Sequence, residues 1–417
     1  MKESDSTKGK RPDVAERSSR FPWRTCSLAA IACGLALVGP IASVPTPLAA
    51  PAIGEEATRA LPEPPADGVM SFVVDDFVQP IVPGTESCPD GPALKLRDAY
   101  LHGLDPAERA RLSRKENEKE LTRLWQQTAF GENGTNICSQ PDMFDRPLLR
   151  TVESDLAWGL DLDGDGGKGG ANDCGQQDFV SPHGKRGIDN QEYRVMGCKP
   201  EWRGVDGMPS DQAVGMRQFH VSGEWTQVLL LRGVDSLEND DEVEVIYGNT
   251  PDRPFVDTQG QFLHGGTFTI STEPPRHRNV LKGRITNGVL TTEPTEIKLT
   301  QTWGQGGARD IRGNRAIWHY YEGRLRLEFQ PDGTLKGLLA GYRPLFDLII
   351  SPSLGGPGSA LVAGIDCAAE LKTLRKFADG LRNEKTGKCE GISSASRISA
   401  VPAFVNDAPP HRKTASR

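Results

Sequence analysis

The chain has 417 residues, enough for one large domain or two ordinary ones, and its hydrophobic fraction of 36% is sufficient for a packed core. The formal net charge of −7 at pH 7 argues against nucleic acid or an anionic membrane surface as a partner. The 46 glycines and 31 prolines favour a loop-rich β protein over a helical one.

The N-terminal segment has the composition of an export signal. Basic residues are concentrated between Lys8 and Arg24, an apolar run follows over Ser27–Val44, and small residues then offer a cleavage site at Ala50-x-Ala52. We therefore predict a signal peptide over 1–52, with an uncleaved anchor as the alternative. In either case the positive flank predicts that the remainder is exported, to the periplasm or the extracellular space.

The next two segments differ sharply in pattern. Residues 53–68 are rich in Pro, Ala and Glu, which is typical of a linker. The segment 69–150 is predicted to be partly helical. It contains a candidate strand within Val69–Ile81 and a helix over 105–127 that starts with an Asp-Pro pair and breaks near Ser113.

An acidic stretch lies in the region 151–205, which we predict to be a disulfide-closed loop region. Aspartates occupy three alternate positions and Gly166 follows them, as in the first half of a calcium-binding loop. The second half departs from the EF-hand pattern at Lys168 and Asn172, so a looser calcium loop is the leading hypothesis and a solvated surface loop is the alternative. The predicted metal ligands are Asp161, Asp163, Asp165 and Asp173.

A polar run follows Gly187. These side chains could cap nearby backbone, complete a cation shell or contact a sugar-like ligand, and we retain them as candidate binding residues. They are Asp189, Asn190 and Gln191.

Three stretches of the chain resemble a group of uncharacterised exported bacterial proteins. They are DFVSPHGKRGIDNQEYRVMGC at 178–198, GVLTTEP at 288–294 and ISSASRISAVPAFV at 392–405. The resemblance covers most of the chain after the leader. It implies export but no assigned activity, so it adds no functional residue.

Six cysteines lie outside the predicted leader. An even number in an exported chain predicts three disulfides formed in an oxidising compartment. Pairing in sequence order is favoured because each bond then encloses one local segment. The predicted pairs are Cys88 with Cys138, Cys174 with Cys198, and Cys367 with Cys389.

The region 206–345 reads as a β domain. Short runs of alternating apolar and polar residues are separated by turn sequences such as Asn287-Gly288 and Pro331-Asp332-Gly333. Helical periodicity then returns within 346–405, predicted as a C-terminal helix and a stapled loop, and 406–417 is predicted to be a disordered tail. The expected fold is mainly β, with an antiparallel β-sandwich or jelly-roll core, a helical N-terminal segment and a C-terminal helix.

Candidate ligand-contacting and catalytic side chains are few. Alternation places Trp318 and Tyr320 on one face of a strand, where they form a sugar-stacking platform if exposed and ordinary core if buried. Glu242 and Glu244 share a strand face and could serve as the two acids of a glycosidase. The chain contains no GxSxG, HExxH, P-loop or dinucleotide fingerprint.

Three functions are consistent with these patterns. The leading prediction is an exported, calcium-stabilised binding or envelope-associated protein without catalytic activity, whose partner is carbohydrate or a cell-envelope component. A secreted hydrolase acting on glycans is the second. An architectural component of the cell envelope is the third.

Overall fold

The structure is a computed structural model that describes residues 60–84, 87–131, 134–168, 174–204, 210–271, 277–303, 314–349, 361 and 363–407. These residues belong to one unit, Thr58–Arg417. The predicted signal peptide over 1–52 and the predicted ligand Asp173 lie outside the described residues.

Strands are the main elements of the described chain, and its helices are short. The strands are β1 (Met70–Val78), β2 (Phe179–Val180), β3 (Arg186–Ile188), β4 (Gln227–Arg232), β5 (Asn239–Asn249), β6 (Gly266–Thr269), β7 (Arg278–Thr286), β8 (Val289–Thr292), β9 (Thr295–Trp303), β10 (Asn314–Phe329), β11 (Leu335–Pro344), β12 (Gly380–Arg382) and β13 (Cys389–Asn406). The helices are α1 (Leu96–His102), α2 (Pro106–Leu112), α3 (Glu118–Thr128), α4 (Gln191–Met196), α5 (Pro200–Arg203), α6 (Asp211–Ser222), α7 (Leu345–Ile349) and α8 (Cys367–Phe377).

The main sheet closes on itself as an eight-stranded antiparallel barrel. Neighbouring strands follow the order β1-β4-β5-β7-β8-β10-β11-β13, and β13 pairs back with β1. In that closing pair Phe72 lies opposite Pro402 and Phe77 lies opposite Ile398. The prediction of a sandwich or jelly-roll is therefore wrong, because a single sheet closes through its first and last strands instead of packing against a second sheet.

Three further strands extend the barrel. β9 pairs with the first half of β10, β12 pairs with the start of β13, and β6 runs parallel to the end of β13. The long strands β10 and β13 therefore project beyond the barrel and take other partners there. Apart from the barrel, β2 and β3 form a small two-stranded sheet.

Side-chain alternation assigns residues to the inside or the outside of the barrel. Leu229 and Leu231 of β4 point into the interior cluster, while Val228 and Leu230 join an outer cluster with Phe268 of β6. Because both faces of β4 are covered, its sequence is almost continuously apolar. The interior is filled by side chains and is a core, not a channel.

Several local predictions are confirmed. The candidate strand near the N-terminus is β1, and the predicted helix appears as α2 and α3 with a break that begins at Ser113. Asp105 accepts hydrogen bonds at the start of α2 from the backbone N–H groups of Ala107 and Glu108. Both turn sequences join paired strands, β7 to β8 and β10 to β11.

The C-terminal region differs from its prediction. The helix α8 begins at Cys367, where Asp366 accepts a hydrogen bond from the N–H of Ala369, and it ends at Phe377. The predicted stapled loop is the long strand β13, which is central to barrel closure. Its run of small residues between Ser393 and Ser396 is too polar to look like a buried strand, although all four residues are buried.

The six cysteines form three disulfides, as predicted, but the predicted pairing is wrong. The bonds join Cys88 to Cys198, Cys138 to Cys367, and Cys174 to Cys389. Their sequence separations are 110, 229 and 215 residues. Each bond therefore ties together distant parts of the chain. Two of them attach segments that precede β4 to the first residues of α8 and β13, and the third joins two segments that both precede β4.

No helix within the described ranges is both long enough and apolar enough to cross a membrane.

Candidate functional site

A cavity of about 360 Å³ lies at one end of the barrel. We call it the barrel-end cavity. Gln79 follows the last residue of β1, and Arg343 comes from the end of β11; both reach the cavity from the barrel. The helices α4, α5, α6, α7 and α8 supply most of the remaining wall. The volume lies near the lower end of the range of about 300–1,000 Å³ that is usual for small-molecule sites.

A buried ion pair forms part of this wall. Arg343 Nη1 lies 3.1 Å from Oε1 of Glu192, which belongs to α4, and the two residues are only 1% and 2% exposed. Both residues line the barrel-end cavity. Because a buried guanidinium without a counter-charge is strongly unfavourable, this pair fixes α4 against the end of β11.

The Arg343 guanidinium also packs on aromatic rings of β10. Its central carbon lies 4.5 Å from the centre of the Trp318 ring and 5.6 Å from that of Tyr320. Trp225 packs against Trp318 at 4.8 Å between ring centres. Trp318 is 2% exposed and Tyr320 is fully buried, so the two rings are core and cannot offer the exposed sugar-stacking platform considered from the sequence.

Two further ion pairs belong to the same wall. Lys199 Nζ lies 2.7 Å from Glu370 on α8, and Lys95 Nζ lies 2.8 Å from Glu201 on α5. Burial disfavours the charged form of Lys199, but the charges of Glu370 and Glu201 outweigh burial and raise its pKa. Lys199 is therefore positively charged at neutral pH.

Polar atoms on this wall lack hydrogen-bond partners among the described residues. Both the Nε2 and the Oε1 atoms of Gln79 are buried and unpartnered, and Gln79 is 6% exposed. The Nε and Nη2 atoms of Arg343 are also buried and unpartnered. These atoms are covered by neighbouring protein atoms, so they do not face the open space of the cavity, and their lack of partners is a local cost of packing.

The rest of the wall is largely apolar. It combines aliphatic and thioether side chains with two half-buried aromatic rings, Trp202 of α5 and Phe219 of α6. The aliphatic and thioether residues are Met196, Met216, Leu348, Ile349, Ala363 and Ile365. A mainly apolar wall that carries a few oriented polar groups is typical of a small-molecule site.

The polar side chains that follow Gly187 form hydrogen bonds with backbone groups and do not line this cavity. Asp189 accepts a hydrogen bond from the Leu162 N–H at 2.6 Å, and Asn190 accepts one from the Tyr193 N–H at the start of α4. The amide Nε2 of Gln191 donates to the Gln177 carbonyl at 2.8 Å. All three predicted binding residues are at most 3% exposed, so the alternative of local backbone capping describes them.

Three of the four predicted calcium ligands come together, and the fourth, Asp173, lies outside the described residues. One carboxylate oxygen from each of Asp161, Asp163 and Asp165 lies within 4.8 Å of the others. We call residues 161–167 the acidic loop. The Arg324 guanidinium donates to its backbone carbonyls at 161 and 162, which holds the loop against β10. These three residues could supply oxygen ligands to one hard cation.

Two buried carboxylates lie close to the acidic loop. Burial raises the pKa of Asp189 to about 8, helped by the charges of Asp379, Asp163 and Asp178. Burial likewise raises the pKa of Asp379 to about 7, although Ser393 donates two hydrogen bonds to its carboxylate. In the folded protein both groups therefore hold their protons at pH values where an unfolded chain has lost them.

These raised pKa values predict that the protein becomes less stable as the pH rises. Through these two aspartates the folded state holds extra protons between pH 4 and about 8, so their contribution to the free energy of unfolding falls with pH. Burial lowers the pKa values of His220, His277 and His319, and these groups act in the opposite direction below about pH 6.5. The net fall is therefore expected between about pH 6.5 and 8. Asp189→Asn keeps an oxygen acceptor for the Leu162 N–H but removes the titrating carboxyl. We expect the fall in the free energy of unfolding with pH to shrink by more than about 1.4 kcal/mol, the equivalent of one pKa unit. The measurement is denaturant unfolding of the parent and the variant at pH 5, 6.5 and 8 in EDTA.

The control for this experiment is Glu238→Gln, because Glu238 is exposed on the surface. Its pH profile should match that of the parent. A parent protein whose stability rises between pH 6.5 and 8 would contradict the prediction.

The acids considered for glycan hydrolysis lie elsewhere. Glu242 and Glu244 are exposed on β5, where Glu244 pairs with Arg232. Neither lines the barrel-end cavity. Three glutamates that do line it, Glu192, Glu201 and Glu370, each pair with a basic residue.

Two polar residues that line the cavity, Arg343 and Gln79, were not predicted from the sequence. Arg343 lies an even number of residues from Leu335 and Leu339, the interior residues of β11. Because side chains alternate between the two faces of a strand, the sequence did contain a signal that Arg343 points inward. Gln79 gave no such signal, because the register of β1 shifts between Val74 and Asp76 and reverses the parity beyond that point.

No family model, curated protein sequence or solved structure matches this chain. The resemblance of three of its stretches to exported bacterial proteins stays a prediction.

Proposed function

We propose that this chain is an exported, non-catalytic binding protein that takes a small ligand in the barrel-end cavity. The observation that carries the proposal is a cavity of about 360 Å³ whose largely apolar wall also holds the ion pairs of Glu192 with Arg343 and of Glu370 with Lys199. A mainly apolar wall with a few polar side chains is the usual lining of a small-molecule site.

Export and a cell-envelope location remain part of the proposal. Three disulfides with long separations are typical of proteins that fold in an oxidising compartment. The partner considered from the sequence, carbohydrate or an envelope component, is retained as the first class to test.

Binding is favoured over the two alternatives. A glycan hydrolase needs one protonated and one ionised carboxyl that both reach the substrate. Burial raises the pKa of Glu370, but its carboxyl lies 2.7 Å from the Lys199 ammonium, and the other two cavity glutamates are held in ion pairs as well. A purely architectural role would not require a cavity of this size, because protein interiors are otherwise closely packed.

A substitution that fills the cavity tests this proposal. Gly215 of α6 lines the cavity, and a Cβ atom added there meets nothing within 4 Å. We expect the mature protein to show a ligand-dependent rise in melting temperature in a metabolite screen, and Gly215→Phe to abolish the rise. Gly215→Ala is the control: it should keep ligand binding and stabilise α6 by roughly 0.5–1 kcal/mol. If no compound stabilises the parent, or if Gly215→Phe responds like the parent, the proposal fails.

We also propose that calcium binds the acidic loop and stabilises the fold. The proposal is supported by the convergence of Asp161, Asp163 and Asp165 and by a buried Asp165 oxygen, Oδ2, that has no hydrogen-bond partner in the described part of the chain. The cation would be bound by hard oxygen ligands, which calcium prefers. Its role would be structural, since the loop is separate from the residues that line the barrel-end cavity.

EDTA should therefore lower the melting temperature, and calcium should restore it. Free calcium at a hundred times its dissociation constant would add about 2.7 kcal/mol to the free energy of unfolding. The measurement is a thermal melt of the mature chain in EDTA and again after calcium is added in excess. A double variant, Asp161→Asn with Asp163→Asn, should melt identically in both. An unchanged melting temperature of the parent in EDTA would exclude this calcium site.

A further inference from the structure

We propose that the disulfide between Cys174 and Cys389 is a site of reversible thiol–disulfide exchange, which a dithiol reductant opens while the other two disulfides stay closed. The bond lies on the wall of an open groove of about 900 Å³. We call this the disulfide groove; it is formed by the segment around Cys174, the start of α7, the last turn of α8 and the turn that precedes β13. None of its described lining residues also lines the barrel-end cavity, so the exchange is independent of the ligand proposed there.

Access separates this bond from the other two. Cys174 and Cys389 are both partly exposed, and both line the open groove. Each of the other bonds has at least one buried cysteine: Cys198 is 1% exposed, and Cys138 and Cys367 are at most 2% exposed. A thiolate must reach a sulfur atom in order to displace the other sulfur, so burial protects those two bonds.

The disulfide groove is basic, although the chain as a whole has a formal net charge of −7. Arg375, Lys376 and Lys388 line it, and Glu390 is the acidic residue among its lining residues. Arg375 is paired with Asp142, whereas neither lysine forms an ion pair within the described ranges. Because the attacking species is a thiolate anion, the two lysines raise its local concentration and stabilise the negative charge on the leaving sulfur.

The backbone at Cys174 also favours opening. Its φ is 49°, in the left-handed region that non-glycine residues rarely adopt because the Cβ atom crowds the backbone. The bond to Cys389 attaches this residue to the start of β13, so the free-energy cost of the conformation belongs to the closed state. An open bond leaves Cys174 free to adopt an ordinary conformation, and this difference favours the dithiol form.

Each step of the exchange conserves atoms and electrons. A thiolate of the reductant attacks one of the two cysteine sulfurs, forms a mixed disulfide with it, and releases the other cysteine as a thiolate that takes up a proton. The second thiol of the reductant loses its proton and attacks the mixed disulfide, which releases the remaining cysteine. The protein gains two electrons and two protons as two thiols, and the dithiol is oxidised to a disulfide.

Selective opening is tested on the mature, fully oxidised protein under native conditions. Dithiothreitol is the dithiol probe, free thiols are trapped with N-ethylmaleimide at intervals, and peptide mass spectrometry reports on each cysteine. We expect Cys174 and Cys389 to be alkylated about tenfold faster, or more, than the cysteines of the other two disulfides. The partly reduced protein should still melt in one cooperative transition, at a lower temperature, because a cross-link that restricts the unfolded chain is lost.

Matched small thiols test the contribution of the two lysines. Mercaptoethanesulfonate, mercaptoethanol and cysteamine are similar in size, and they carry a negative charge, no charge and a positive charge beside the thiol. In Lys376→Gln with Lys388→Gln, the ratio of the opening rates for the anionic and the cationic thiol should fall by about threefold or more. The control, Lys282→Gln with Lys336→Gln, removes two exposed lysines of β7 and β11 that do not line the groove, and it should leave the ratio unchanged.

The possible outcomes decide different points. Equal opening rates for the three disulfides, or faster opening of either of the other two bonds, would overturn the proposal. Opening that is accompanied by loss of the cooperative melt overturns it as well, because the bond would then react in the unfolded chain. A rate ratio that is the same in the parent and in the variant lacking both groove lysines overturns the role assigned to Lys376 and Lys388.

Discussion

Replacing Glu192 with leucine should destabilise the protein by about 3–5 kcal/mol, because it leaves the Arg343 guanidinium buried without a counter-charge. Arg343 is 1% exposed, so water cannot replace the lost carboxylate without opening the end of the barrel. The stacking on Trp318 and Tyr320 remains, but it is too weak to offset the loss. Denaturant unfolding of the mature chain, with its disulfides intact, measures the change.

Removing both partners should recover most of this loss. In Glu192→Leu with Arg343→Met the two charges are replaced by apolar side chains, and such replacements are often neutral or stabilising. The matched control is Glu328→Leu at the exposed pair with Arg326, where we expect a change of less than about 1 kcal/mol. A single Glu192→Leu variant as stable as the parent would show that the guanidinium is not buried as described.

Loss of the disulfide between Cys138 and Cys367 should be the other large effect. The bond spans 229 residues, and the chain-entropy model gives roughly 5 kcal/mol for a loop of this size. It joins the segment after α3 to the first residue of α8, and both cysteines are buried in one apolar cluster. The double variant Cys138→Ala with Cys367→Ala should therefore unfold at a much lower denaturant concentration.

Thiol titration tests the pairing itself. Cys88→Ala with Cys138→Ala removes one partner from each of two bonds, so it should add two reactive thiols to the denatured, non-reduced protein. Cys138→Ala with Cys367→Ala should add none. If the first variant adds none and the second adds two, the sequential pairing would be correct and the described fold would be wrong.

The local β structure could be read from the sequence, but its closure could not. Alternating residues and turn sequences such as Pro331-Asp332-Gly333 predicted the antiparallel strands, since both depend on neighbours in the chain. Closure depends on the pairing of β1 with β13, whose registers join Phe72 to Pro402. Neither strand sequence identifies the other as its pairing partner. The polar residues of β13 also did not suggest a buried strand.

The candidate site was predictable only in part. The acidic loop was found because its three aspartates act within seven residues of chain, and that signal is local. The cavity depends on Gln79, Glu192 and Arg343, which lie more than a hundred residues apart and meet only in the folded barrel. The disulfide pairing was missed for the same reason: proximity along the chain was used where proximity in space decides.

The pairing of β1 with β13 has a consequence for biogenesis. The early strand β1 lacks one of its two neighbours until β13 has been synthesised, because β13 supplies hydrogen-bonding partners to both β1 and β11. Until then the nascent sheet carries two unsatisfied edges, and such edges are prone to intermolecular pairing. β13 must therefore be synthesised before the barrel can close, which makes the unclosed chain the species most in need of chaperone protection.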